Sequence, residues 1–157
     1  MVNHKKVAII GAGTAGLASA ILLSKQGFIC DLYEEFQEPQ AIGAGILLQP
    51  QGLNVLHEIG LLDELLSFGS RVDSLYGLTI KNKIIMDFKY SELYAGLFGL
   101  GVHRGTLFNS LYKIAKTAVN QLYLGHKVTN IKQSHSTVQI NTNQAHQNNY
   151  DMVVIAN

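Results

Sequence analysis

Three glycines spaced Gly11-x-Gly13-x-x-Gly16, together with what flanks them, constrain this chain more than any other feature. Before them, Lys5 to Ile10 is apolar, rich in β-branched residues and ended by glycine, the pattern of a short buried strand. After them, Leu17, Ala18, Ile21 and Leu22 recur at helical spacing up to Gly27, which reads as a C-cap. Phe28 to Tyr33 then forms a second apolar run, closed by Glu34-Glu35. Strand, glycine turn, helix and strand in that order make a βαβ unit, whose crossover forces the two strands to run parallel.

Each glycine has a separate task in such a unit. Gly11 permits the tight turn off the strand, Gly13 lets a pyrophosphate approach the backbone, and Gly16 lets the helix pack closely on the sheet. Ala12, Thr14 and Ala15 complete the turn, and the helix start offers unpaired N–H groups and a partial positive charge to phosphates. Glu34 lies 18 residues past Gly16, where a carboxylate can accept hydrogen bonds from both ribose hydroxyls. It would repel a 2′-phosphate. The expectation is a Rossmann-like, dinucleotide-binding half. The glycine motif alone does not separate FAD from NAD.

Past Pro39, the stretch Ile42-Gly43-Ala44-Gly45-Ile46 reads as a glycine-loosened loop. Pro50 opens a helix carrying Leu53, Leu56 and Ile59 and broken at Gly60, and Leu61 to Phe68 makes a second helical piece. Val72 to Ile80 and Ile84 to Phe88 suggest a hairpin around Lys81-Asn82-Lys83, and Tyr90 to Gly101 a loop. Gly105 to Ala118 is a helix with Leu107, Leu111, Ile114, Ala115 and Ala118 on one face. Leu122 to Leu124 is a short strand, Val128 to Lys132 and Thr137 to Asn141 an antiparallel pair, and Thr142 to Asn149 a turn. Met152 to Ala156 reads as a strand buried on both faces.

Composition removes several function classes. Hydrophobic residues are 47% and charged residues 15% of the 157, enough apolar material for a core. The formal net charge of +1 and the lack of a basic patch argue against nucleic acid. No window reaches membrane-spanning length, and a cytoplasmic location is the simplest expectation. Cys30, the single cysteine, sits in an apolar run and reads as a small buried hydrophobe. The six histidines show no metal-ligand spacing, so no metal is expected, and His103 reads as a capping or solvated side chain. Tyr76, Phe88, Tyr90, Tyr94 and Phe98 could line an apolar pocket, with core packing the simpler reading.

Four stretches, in order, carry a family resemblance: Val7 to Leu17; Leu32-Tyr33-Glu34; Gly43 to Pro50 with Leu53, Leu56, Gly60 and Leu61-Leu62; and Val102-His103-Arg104-Gly105-Thr106-Leu107 with Leu111. Asp151 to Asn157 adds a strand ahead of an Ala-Asn turn. On these the chain resembles the FAD-dependent aromatic hydroxylases, the flavin monooxygenases of the p-hydroxybenzoate hydroxylase type. The resemblance implies FAD as cofactor and NAD(P)H as transient reductant. O₂ would be the oxidant, with one oxygen inserted into a small aromatic or apolar substrate. It also implies that Arg104 contacts the flavin nucleotide, that Val128 lies near the adenine, and that Gly45 and its loop lie near the flavin. Glu35 stands where the family usually has arginine, adding negative charge beside the ribose, and Gln51 stands where it usually has asparagine.

The family's second glycine-aspartate motif and most of its substrate domain lie beyond this length, so the chain reads as the N-terminal portion of a longer protein. The expected fold is α/β: a truncated Rossmann-like FAD-binding domain with a parallel sheet over residues 1–71 and 102–157. A partial β-rich substrate-domain insertion is expected over residues 72–101. Two other readings stay open: a non-catalytic remnant with weak nucleotide binding, and an NAD-linked reductase built on the same βαβ unit. The sequence names no catalytic side chain, no substrate and no oligomeric state.

Overall fold

The computed structural model describes residues 5–40 and 43–157. In chain order its elements are β1 (Lys6–Ile10), α1 (Thr14–Lys25), β2 (Ile29–Tyr33), β3 (Gly45–Leu48), α2 (Pro50–Ile59), α3 (Leu62–Phe68), β4 (Ser70–Val72), β5 (Ser74–Leu78), β6 (Ile84–Lys89), α4 (Tyr90–Leu93) and β7 (Gly99–His103). Then follow α5 (Arg104–Ala118), β8 (Gln121–Tyr123), β9 (Val128–Gln133), β10 (Val138–Thr142), β11 (Gln147–Tyr150) and β12 (Met152–Ile155). They form two compact units, Met1–Ala41 with Phe108–Asn157, and Ile42–Leu107.

The first unit is built on a four-stranded parallel sheet in the order β12-β1-β2-β8. Val7, Ala8 and Ile9 of β1 are fully buried because β1 has a partner on each side. Helix α1 buries Gly16, Leu17, Ala20 and Ile21. The chain reverses after it at Gly27, where φ is +88°, a conformation open to glycine at little cost. Strands β9, β10 and β11 form a separate antiparallel sheet. Ile140 and Tyr150 from that sheet pack with Ala8 and Tyr33 of the parallel sheet, and Tyr123, Val128 and Val153 close around them.

A polar network crosses this core. The Tyr150 hydroxyl donates to Asp31 Oδ2 at 2.8 Å, and Asn120 Nδ2 donates to Asp31 Oδ1 at 2.8 Å. The Tyr33 and Tyr150 hydroxyls lie 2.6 Å apart, and Asn148 donates to both. A buried carboxyl group is tolerated only when its oxygens are satisfied, and here both are. Burial, followed by the hydrogen bonds to Tyr33 and Asp31, pushes the Tyr150 phenol far above its usual value, and burial raises Tyr33 as well.

In the second unit β7 pairs antiparallel with β3 and with β4, Gly45 lying opposite His103 and Val72 opposite Gly99. Helix α2 ends at Gly60, in the left-handed conformation at φ +88°, whose N–H reaches back to the Leu56 and His57 carbonyls. Strands β5 and β6 make an antiparallel hairpin turned through Asn82 at φ +58°.

Several sequence expectations need correction. The stretch from Gly43 is not all loop: Gly45–Leu48 is a strand, because β7 supplies a partner more than fifty residues later. Ile42 lies outside the described residues. Tyr90 to Gly101 is not a loop; it holds α4 and the first residues of β7. Thr142 to Asn149 is not a single turn, since Gln147–Tyr150 pairs with β10 as a third strand. The last strand is not buried on both faces. Among the described residues it is the edge strand of its sheet, with Ile155 66% exposed. The βαβ unit, both helices after Pro50, the hairpin and α5 match the reading within a few residues. Among the described residues no helix is long and apolar enough to cross a membrane.

Candidate functional site

A cleft of about 390 Å³ opens in the first unit where β1 and β2 end. Its lining includes Gly11 and Gly13 from the turn after β1, Glu34 and Glu35 from the end of β2, and Lys127 and Val128 at the start of β9. Sites at the carboxyl ends of parallel strands are the rule in α/β sheets, because that is where loops and helix starts converge.

The glycine turn has the shape its composition requires. Gly11 sits at φ +100°, and a Cβ there would come within 2.9 Å of the Ala156 carbonyl oxygen. A Cβ on Gly16 would collide with the Gly11 carbonyl oxygen, so the turn and helix can close only around glycine. At Gly13 the nearest atom to a Cβ would be 3.9 Å away, which leaves the surface above the turn clear. The turn is tied on both sides: Gly11 N–H donates to the Tyr33 carbonyl and Ala156 N–H to the Ile10 carbonyl, each at 2.8 Å. No side chain caps α1 and no acid sits in its first turn. Gly13, Thr14 and Ala15 are exposed there, so their amides and the positive end of the helix dipole are open to an anion.

Glu34 is buried at 8% exposure, yet its carboxylate is satisfied. Oε2 accepts the Ala12 N–H at 2.7 Å and Oε1 accepts the Phe36 N–H at 3.0 Å. The carboxylate thus clamps the glycine turn to the end of β2. A carboxylate offers about four acceptor sites, so two remain for the hydroxyls of a sugar. The Glu34 backbone also accepts the His126 N–H at 2.8 Å, which brings the His126-Lys127-Val128 segment to the cleft. Lys127 Nζ lies 3.0 Å from Glu35 Oε2.

Gly11, Ala12, Gly13, Thr14, Ala15, Gly16, Glu34, Glu35 and Val128, singled out from sequence, thus lie on or immediately behind one surface. Gly45 and Arg104 belong to the second unit. There Gly43, at φ +112°, leaves room for the Arg104 side chain, which a Cβ would approach to 3.1 Å, and Arg104 N–H donates to the Ala44 carbonyl. His103 caps the start of α5 by accepting the Gly105 N–H at Nδ1. Phe36, His126 and Lys127 were not anticipated. Their one sequence signal is adjacency to Glu35 and Val128. Among the described residues no group of acids, histidines and cysteine is placed to hold a metal.

These residues fit the adenosine diphosphate half of a dinucleotide: amides and a helix start for the pyrophosphate, a carboxylate for the ribose, and apolar Val128 and Phe36 for the base. The family model described as "FAD binding domain" matches residues 4–153. Among curated proteins, 3-amino-4-hydroxybenzoate 2-monooxygenase of Streptomyces cremeus is 30% identical over 155 residues, covering 95% of this chain and 38% of that protein. The 6-hydroxynicotinate 3-monooxygenase of Bordetella bronchiseptica is 32% identical over 146 residues, covering 89% of this chain and 37% of that protein. A solved structure of 2-methyl-3-hydroxypyridine-5-carboxylic acid oxygenase superposes with a TM-score of 0.80 at 23% identity, over 96% of this chain and 38% of the other, and shares the fold. The chain spans less than two fifths of the length of these curated relatives.

Proposed function

This chain belongs to the FAD binding domain family, and on that footing we propose that its cleft seats the adenosine diphosphate half of FAD for a flavin monooxygenase. The observation that carries the proposal is convergence. Three segments far apart in sequence, at Gly11–Gly16, Glu34–Phe36 and His126–Val128, meet at one cleft with the donors and acceptors that a nucleotide diphosphate needs.

In this reading the turn amides and the α1 start bind the pyrophosphate. Glu34 accepts the ribose hydroxyls while holding Ala12 in place, and Val128 packs against the adenine. Arg104 and Gly45 are assigned cofactor contacts on family resemblance. Bound FAD supplies the redox chemistry, and the protein supplies position and polarity. The activity would use NAD(P)H and O₂ to hydroxylate a small aromatic or apolar compound, as the names of the relatives suggest. The protein would then work in the cytoplasm, where NAD(P)H is held. Residues 72–101 would form the start of the substrate-side β region.

The test compares FAD with FMN, which lacks the adenosine half. Titration of the chain followed by flavin fluorescence should show saturable FAD binding and little FMN binding. Glu34→Ala should weaken FAD by about tenfold or more, because charged hydrogen bonds are lost. Equal affinity for FMN and FAD, or an unchanged FAD affinity in Glu34→Ala, would contradict the assignment.

A further inference from the structure

Of the side chains lining the cleft, Glu34 and Glu35 carry carboxylates, and Lys127 is the cationic one among the described residues. The lysine is not left to a ligand: its ammonium lies 3.0 Å from Glu35 Oε2. Its backbone is fixed as well, because Lys127 N–H donates to Asn143 Oδ1 at 3.0 Å and its carbonyl accepts the Asn143 N–H at 2.9 Å. Glu35 is fixed by its position beside Glu34, whose N–H and carbonyl are both bound to the β8–β9 segment. Two anchored backbones therefore present one acid and one base across the rim that Glu34 marks as the ribose side.

We propose that Glu35 is a specificity-determining residue that masks Lys127 and so restricts the cleft to adenine nucleotides with a free ribose 2′-hydroxyl. This inference rests on the nucleotide reading of the cleft. An exposed ion pair of this kind adds little stability, since its side chains are 64% and 44% exposed. Its effect is on the ligand. A 2′-phosphate brings nearly two negative charges to a rim where Glu34 already stands, and Lys127, the lysine lining the cleft among the described residues, is already paired with Glu35. The consequence is useful in a flavoprotein that works beside a phosphorylated nicotinamide nucleotide: the FAD seat rejects the reductant. Removing the Glu35 charge releases Lys127 as a phosphate ligand and shifts the preference toward the phosphorylated nucleotide.

ADP-ribose and 2′-phospho-ADP-ribose differ by that one phosphate and serve as probes, with calorimetric titration as the readout at fixed salt. The unsubstituted chain should bind ADP-ribose the more tightly. Glu35→Gln should move the affinity ratio about tenfold toward the phosphorylated probe. Glu35→Gln combined with Lys127→Met should return the ratio to that of the unsubstituted chain. Both side chains are exposed, and matched thermal unfolding of the variants checks that all are folded. An unchanged ratio in Glu35→Gln, or a gain that survives Lys127→Met, overturns this inference and leaves the nucleotide assignment standing. Failure of the unsubstituted chain to bind either probe overturns the nucleotide assignment, and this inference with it.

Discussion

Asp31 and Tyr150 illustrate how single residues settle matters that patterns do not. Asp31 interrupts an apolar strand, and its carboxyl group is accommodated by Tyr150 and Asn120, both distant in sequence. Tyr150→Phe removes a donor from a buried acceptor and should cost about 1–3 kcal/mol in chemical denaturation. The pH dependence has a definite sign. The folded state raises the phenols of Tyr33 and Tyr150 above the ordinary tyrosine value. A raised group contributes stability that is whole below its unfolded value and is lost as pH climbs toward its folded one. Stability should therefore fall above about pH 10, and Tyr150→Phe should flatten that fall. The glycine turn and the place of Glu34 at the end of β2 were legible in sequence because backbone sterics and spacing dictate them. The Glu34 clamp on Ala12, the Asp31 network and Lys127 were not, since each depends on a partner that only the fold brings near.

Elements were legible where their signals are local. Pro50 and Gly60 bracket α2, and Gly60 provides a clean test of that punctuation. A Cβ at Gly60 would meet nothing within 4 Å, so Gly60→Ala is penalised by its left-handed backbone alone. The expected cost is about 1 kcal/mol in thermal unfolding, and no loss at all would mean that the helix ends differently. Elements that depend on distant partners carry the sequence pattern of loops. Gly45–Leu48 looks like a flexible turn until β7 pairs with it, and Gln147–Tyr150 offers only Tyr150 as an inward apolar residue. β7 itself carries Gly99 and Gly101, which weaken any strand signal.

The chain as a whole has an apolar surface that its own residues do not cover. On and beside the β5–β6 hairpin, Tyr76, Ile80, Ile84, Ile85 and Met86 are exposed, Ile80 completely. Exposed apolar side chains concentrated on one hairpin promote association. Ile80→Lys with Ile85→Lys should lower self-association in sedimentation velocity while leaving FAD affinity unchanged, because the cleft is built from residues 10–36 and 126–157. FAD affinity that fell together with association would tie the hairpin to the nucleotide site. At this scale the α/β class and the parallel βαβ core were readable, because an apolar strand, a glycine turn and an apolar helix leave few alternatives. The antiparallel sheet, whose first residue Val128 lines the cleft, was only partly so.

The central claim, that the glycine turn and Glu34 together hold the adenosine diphosphate half of FAD, is tested most directly by backbone amide NMR during titration with ADP. The account predicts saturable shifts concentrated at Gly11 to Gly16, at Glu34 to Phe36 and at His126 to Val128. Shifts confined to other segments, or none at saturating ADP, would contradict it.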